Sequence, residues 1–125
     1  MFFKSFKYAV QGIRQTIQGE RNLCIMLVVF VLVIGAGCAF AISALEWIAV
    51  LICCGGVLAL ELINSAIERM VDLVTQRPHP LAKAAKDMAA GAVLVWSVCC
   101  AIIGIIIFLP RLISLLHSLF QGALI

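Results

Sequence analysis

The chain opens on an alternation with a helical period. Met1, Phe2, Phe3, Phe6, Val10, Ile13 and Ile17 recur among Lys4, Lys7, Gln11, Arg14 and Gln18. Apolar and basic residues segregated in this way predict an amphipathic helix over residues 1–19 that lies in a membrane interface rather than crossing it. Three long uncharged runs follow. Leu23–Leu45 has 23 residues, Met88–Leu109 has 22, and Trp47–Leu60 has 14 before Glu61 interrupts and Leu62–Ile67 resumes. A hydrocarbon core about 30 Å thick takes about 20 apolar residues of helix. The first and third runs reach that length outright, and the second reaches it only by carrying Glu61 inside. The pattern predicts an all-α membrane protein: a surface helix at 1–19 and three transmembrane helices at about 23–45, 47–72 and 86–109, in a single domain over 1–125. Pro110 and Arg111 are expected to close the third span. Ile113–Ile125 then forms a shorter amphipathic piece beyond it, with His117 at the interface.

Composition excludes the other classes. The chain is 65% hydrophobic and 12% charged. A soluble domain carries about 25% charged residues, and a disordered chain needs low hydrophobicity. The basic segment ahead of the first run is too long for a cleaved secretory leader. The six cysteines all lie in apolar runs without a C-x-x-C spacing, so they read as small packing hydrophobes. No nucleic-acid partner is expected. Lys4, Lys7, Arg14 and Arg21 precede the first span, and Arg69, Arg77, Lys83 and Lys86 surround the second connection. Only Arg111 lies beyond the third span, so the N-terminus and the second connection are expected on the cytoplasmic side.

The informative polar residues lie where a span should be apolar. Glu61, Asn64, Ser65, Glu68 and Asp72 fall within about 100° of one another on a helix. Leu62, Ile63, Ile67, Met70 and Val71 cover the remaining circumference. Counting from Glu46 at about 1.5 Å per residue, Glu61 lies roughly 22 Å in and Glu68 roughly 33 Å in. Glu61 is therefore just inside the inner boundary and Glu68 in the headgroup layer. An ionisable residue at that depth marks a functional site by default. After the Arg77-Pro78-His79-Pro80 turn, Lys83, Lys86, Asp87 and Ala90 share one face, and Ala89-Ala90-Gly91-Ala92 permits close helix approach. Glu20, Glu68, Asp72 and Asp87 with Arg77, Lys83 and Lys86 thus form a charged ring at one depth. Such a ring suits a divalent cation and a polyphosphate. A membrane subunit using the stripe as helix glue, and a small ion or proton carrier, are the rival readings. Neither accounts for the acid–lysine ring.

Glu61-x-x-Asn64-Ser65-Ala66-Ile67-Glu68, Val71-Asp72 and Ala85-Lys86-Asp87-Met88-Ala89-Ala90-Gly91-Ala92-Val93 resemble the prokaryotic diacylglycerol kinase and undecaprenol kinase family, as do Gly12-Ile13-Arg14 and Glu20. The resemblance covers about residues 4–108. It implies a small homotrimeric kinase of the bacterial inner membrane, unrelated to soluble kinases. The chain indeed has no G-x-x-x-x-G-K-[ST] loop. By motif position the resemblance makes Glu61 the general base on a lipid hydroxyl, and Glu20 and Glu68 the holders of Mg2+ on ATP. Lys86, Asp87, Tyr8 and the Arg77, Pro78 and His79 turn would lie against the nucleotide. Asn64 would support the base, with Ser65, Asp72, Arg14, Trp47 and Ala90 around it and the lipid. The Ala89-Ala90-Gly91-Ala92 wording is similar to Gram-positive-type members, which favours undecaprenol as the lipid alcohol. The alternative is diacylglycerol, giving phosphatidic acid.

Overall fold

The computed structural model describes residues 1–124, which form four helices: α1 Phe2–Gly19, α2 Arg21–Ala39, α3 Ala44–Val74 and α4 Pro80–Ala123. The all-helical architecture with a surface helix and three long apolar helices follows from the hydropathy pattern, since α2, α3 and α4 are each long and apolar enough to cross a bilayer. Helix α1 buries only Thr16, whose hydroxyl donates to the Gly12 carbonyl at 2.9 Å. A single extended residue, Glu20, separates α1 from α2.

The first long helix ends at Ala39 rather than at Leu45, because the backbone turns over Phe40–Ser43. Ala41 adopts a positive φ of 50° there. The Ala41 N–H donates to the Cys38 carbonyl and the Ile42 N–H to the Gly37 carbonyl, at 3.3 and 3.2 Å. This is the left-handed helix stop that usually takes glycine. Helix α3 then starts in a reciprocal cap. The Ser43 Oγ accepts from the Glu46 N–H at 3.2 Å, while the Glu46 carboxylate accepts from the Ser43 N–H at 3.1 Å. At the other end of α3, the short connection to α4 closes with His79 Nδ1 accepting from the Leu81 N–H, and Pro80 opens the helix.

Helix α3 is the centre of the molecule and packs on α2 and, more extensively, on α4. Two glycines set these approaches. A Cβ at Gly56 would stand 2.4 Å from the Trp96 ring, so its absence lets the indole lie across α3 and donate to the Cys53 carbonyl at 3.1 Å. A Cβ at Gly37 would stand 2.7 Å from Trp47, which occupies that slot near the α2–α3 turn. Ile42, Val50 and Ile107 form a small core at this end, with Phe40 tilted against Phe108 at 6.3 Å. Helices α2 and α4 stay more than 8 Å apart along their Cα traces. Between them lies an apolar cavity of about 380 Å³.

Pro110 does not end helix α4. Helix α4 continues through it to Ala123, 44 residues in all, or roughly 66 Å at about 1.5 Å per residue. Proline removes one N–H and crowds the preceding turn. Beside it the Arg111 guanidinium donates to the Ile107 carbonyl at 2.6 Å and, through two nitrogens, to both Glu46 carboxylate oxygens at 2.7 Å, tying this turn of α4 to the start of α3. The segment expected as a separate piece is therefore the last part of α4, with Ile125 outside the described residues.

Candidate functional site

The polar stripe of α3 divides by burial. Glu61, Asn64 and Ser65 are only 4%, 9% and 2% exposed, whereas Glu68 and Asp72 are open. Spacing of three and four residues puts the buried group on one face, and that face lies beneath the junction of α1 and α2. The Ser65 hydroxyl donates to the Glu20 carboxylate, and the Arg69 guanidinium lies 3.9 Å from its other oxygen. Glu20 occupies the N-cap position of α2 without capping it with its side chain. The carboxylate turns instead toward α3, so charge balance by Arg69 and a hydrogen bond from Ser65 fix its place.

Glu20, held by Ser65, stands over the same face of α3 as the Glu61 carboxyl. Asn64 Oδ1 is buried without a hydrogen-bond partner. Buried acceptors are nearly always satisfied, so this oxygen is available to a donor not supplied by the chain. Beyond Glu68 the charges pair across the α3–α4 turn. Lys86 lies 2.5 Å from Asp72, and Lys83 lies 2.5 Å from Asp87 one helical turn along. Arg77, Pro78 and His79 are exposed in the turn, where the Arg77 N–H donates to Thr75 Oγ1 at 3.2 Å.

The structure thus gathers Glu20, Glu61, Asn64, Ser65 and Glu68 into one group, with Asp72, Lys83, Lys86 and Asp87 in a second beside it. Tyr8 and Arg14 are exposed on α1, and Ala90 is exposed one turn beyond Lys86. Trp47 stands apart from both groups. It fills the Gly37 slot roughly 21 Å along α3 from Glu61 and packs the opposite end. Arg69 belongs to the first group and was not singled out by sequence. Arg69 follows Ser65 at the same four-residue interval that identifies the acids, which is the signal that marks it.

Among the described residues no three His, Cys, Asp or Glu side chains gather as a protein-only cation cage. Ser65 holds Glu20 over the face of α3 that carries Glu61, and Glu68 lies two helical turns from Glu61 on that face. Magnesium is commonly held by one or two carboxylates with phosphate oxygens and water completing the shell. The donor set therefore fits a cation shared with a bound polyphosphate.

Known proteins resemble this chain over most of its length. The profile of the family described as prokaryotic diacylglycerol kinase matches residues 7–108. An undecaprenol kinase of Bacillus subtilis is 49% identical over 111 residues, covering 89% of this chain and 90% of that protein. A diacylglycerol kinase of Synechocystis is 40% identical over 113 residues, 90% of this chain and 65% of its own length. One from Helicobacter pylori is 36% identical over 95 residues, 74% of this chain and 73% of its own length.

Proposed function

The chain belongs to the prokaryotic diacylglycerol kinase family and is a multi-pass membrane lipid kinase; from that premise we propose that it transfers the γ-phosphate of ATP to the hydroxyl of undecaprenol, giving undecaprenyl phosphate. One observation carries the reading: Glu61, Asn64 and Ser65 are buried on α3 directly beneath Glu20, where an apolar span meets charged ends. A lipid alcohol presents its hydroxyl at that boundary while ATP remains in water. The apolar cavity begins at Leu58, three residues before Glu61, which suits a long hydrocarbon tail running toward the opposite leaflet.

In this mechanism the lipid oxygen attacks the γ-phosphorus, Glu61 accepts the hydroxyl proton, and ADP leaves. Asn64, buried three residues from Glu61 on the same face, would support the base. Glu20 and Glu68 would hold Mg2+ with ATP, and the bound cation supplies charge neutralisation of the phosphates. Ser65 keeps the Glu20 carboxylate aimed at that place. Lys86 exchanges Asp72 for the transferred phosphate, and Asp87, Tyr8 and the Arg77–His79 turn border the nucleotide. Phosphoryl transfer needs positioning and electrostatics more than covalent help, and these residues supply both.

The site is open in a single chain, with Glu68 and Asp72 exposed. A homotrimer whose neighbouring helices close each site, in the bacterial inner membrane with the N-terminus cytoplasmic, completes the reading. The eight basic residues on the site's side favour that orientation. The diacylglycerol kinases among the relatives favour a second reading, with diacylglycerol as acceptor and phosphatidic acid as product. Radiolabelled ATP supplied with each lipid to detergent-solubilised protein separates them. The expected result is a higher rate on undecaprenol, abolished by chelating Mg2+ and by Glu61→Ala. A strong preference for diacylglycerol overturns the substrate, and full activity of Glu61→Ala overturns the base.

A further inference from the structure

The apolar cavity between α2 and α4 continues the candidate site. On α3 its lining residues Val50, Cys53, Val57 and Leu58 precede Glu61 by eleven, eight, four and three positions, so the trough and the carboxyl share one face of the helix. On α4, Ser97, Ala101 and Gly104 extend the face that carries Lys86 and Ala90. Two helices thus lead one trough up to the carboxyl and the lysine assigned to the transfer.

The trough is shut at its far end and open along one side. Val50 and Ile107 of the small core close it, with Phe108 set against Phe40 at 6.3 Å. Helices α2 and α4 stay more than 8 Å apart among the described residues, which leaves a slot along its length. From Glu61 to Val50 is roughly 16 Å at about 1.5 Å per residue, the length of about three isoprene units. Volume gives the same figure: a cavity of about 150 Å³ takes a six-carbon ring, so about 380 Å³ takes about fifteen carbons.

These dimensions select the occupant. A helix about 10 Å across and roughly 16 Å long needs more than about 1,000 Å³, so a helix of another chain does not fit. About 380 Å³ over roughly 16 Å leaves a cross-section of about 24 Å², which is that of one hydrocarbon chain. Diacylglycerol brings two chains from one glycerol and leaves one of them outside. A single polyprenyl chain fills the trough.

We propose that the trough takes the three isoprene units next to the hydroxyl of a polyprenol and passes the rest of the tail out between α2 and α4, so that the enzyme reads the proximal units and is indifferent to total length. This rests on undecaprenol as the acceptor and adds which part of its tail is recognised. Gly104 keeps the α4 wall open: a Cβ there meets no atom within 4 Å, so a larger side chain enters the trough without a clash at its root.

The test compares the full chain and Gly104→Leu in detergent micelles, with radiolabelled ATP and polyprenols of two, three, seven and eleven isoprene units or diacylglycerol at equal mole fraction. In the parent, kcat/KM should be the same within about twofold from three to eleven units and at least about tenfold lower at two. Gly104→Leu should lower it at least about tenfold for the three longer alcohols, through KM, with KM for magnesium-ATP unchanged. A second measurement needs no turnover and uses the parent alone. Cys100 lines the trough, and its alkylation by a small apolar maleimide, followed by peptide mass, should slow several-fold when the three-unit alcohol is added without ATP. Rates that keep rising beyond three units, no fall at two, a parent-like KM in Gly104→Leu, or unchanged alkylation of Cys100 would each overturn the trough's role and leave the acceptor standing. A parent active on diacylglycerol alone overturns the acceptor and this proposal with it.

Discussion

Replacing Gly56 with alanine perturbs the contact of α3 with Trp96 on α4. The added Cβ would lie 2.4–2.5 Å from three atoms of the Trp96 ring, including Nε1. The indole must swing away or α4 must retreat, because both backbones are helical at that point. Overpacking of this kind costs about 1–3 kcal/mol. Losing the Trp96 hydrogen bond to the Cys53 carbonyl adds about 1 kcal/mol in a membrane setting. The sum is about 2–4 kcal/mol, or roughly a 30- to 700-fold fall in the folded ratio. Unfolding in mixed micelles with a rising fraction of denaturing detergent, followed by tryptophan fluorescence, measures it. Gly56→Ala combined with Trp96→Leu should recover most of the loss, since the smaller side chain vacates the contested space. A single variant as stable as the parent, or a double variant no better than the single, would refute the assignment of this contact as the α3–α4 spacer.

Ser65→Ala removes the hydrogen bond that aims Glu20; at about 1.5–3 kcal/mol for a bond to a charged group, KM for magnesium-ATP should rise by at least about tenfold, with a smaller change in kcat, in a steady-state assay. Lys86→Ala should lower activity far more than Asp72→Asn, measured as rate per folded protein, because Lys86 is assigned to the phosphate and Asp72 only holds it in the resting chain. Glu46→Gln and Arg111→Gln should each lower the thermal midpoint in detergent, and the double variant should lose less than the sum of the two, since one ion pair is removed in every case. Ala41→Gly should raise stability by about 1 kcal/mol in the micellar unfolding assay, as glycine bears the left-handed backbone without steric cost.

The hydropathy pattern was enough to read the number and order of the long helices, though not where α2 and α4 end, because a bilayer leaves the backbone few alternatives and every span must satisfy its own hydrogen bonds. The stripe on α3 was equally legible, since Glu61, Asn64, Ser65 and Glu68 announce one face by spacing. Pairings across helices were not. Ser65 and Glu20 are 45 residues apart, and nothing in their local sequence says that Glu20 turns away from its own helix end. Trp47 shows the same limit from the other direction: an aromatic near a boundary looks available to a lipid, but Gly37, ten residues upstream, makes the slot that takes it up. Pro110 misleads because the rule that proline ends a helix is local, whereas the tie from Arg111 to Glu46 at that turn runs between helices.

The Glu46–Arg111 clamp also bears on how the protein is made. Its two halves emerge 65 residues apart during synthesis. The α2–α3 hairpin can enter the bilayer with its acid still waiting, and the partner arrives only when α4 has threaded across in the correct direction and to the correct depth. An inverted or shallow third passage leaves that carboxylate without its cation. The clamp is in this sense a final latch, closing on completed topology and on nothing earlier.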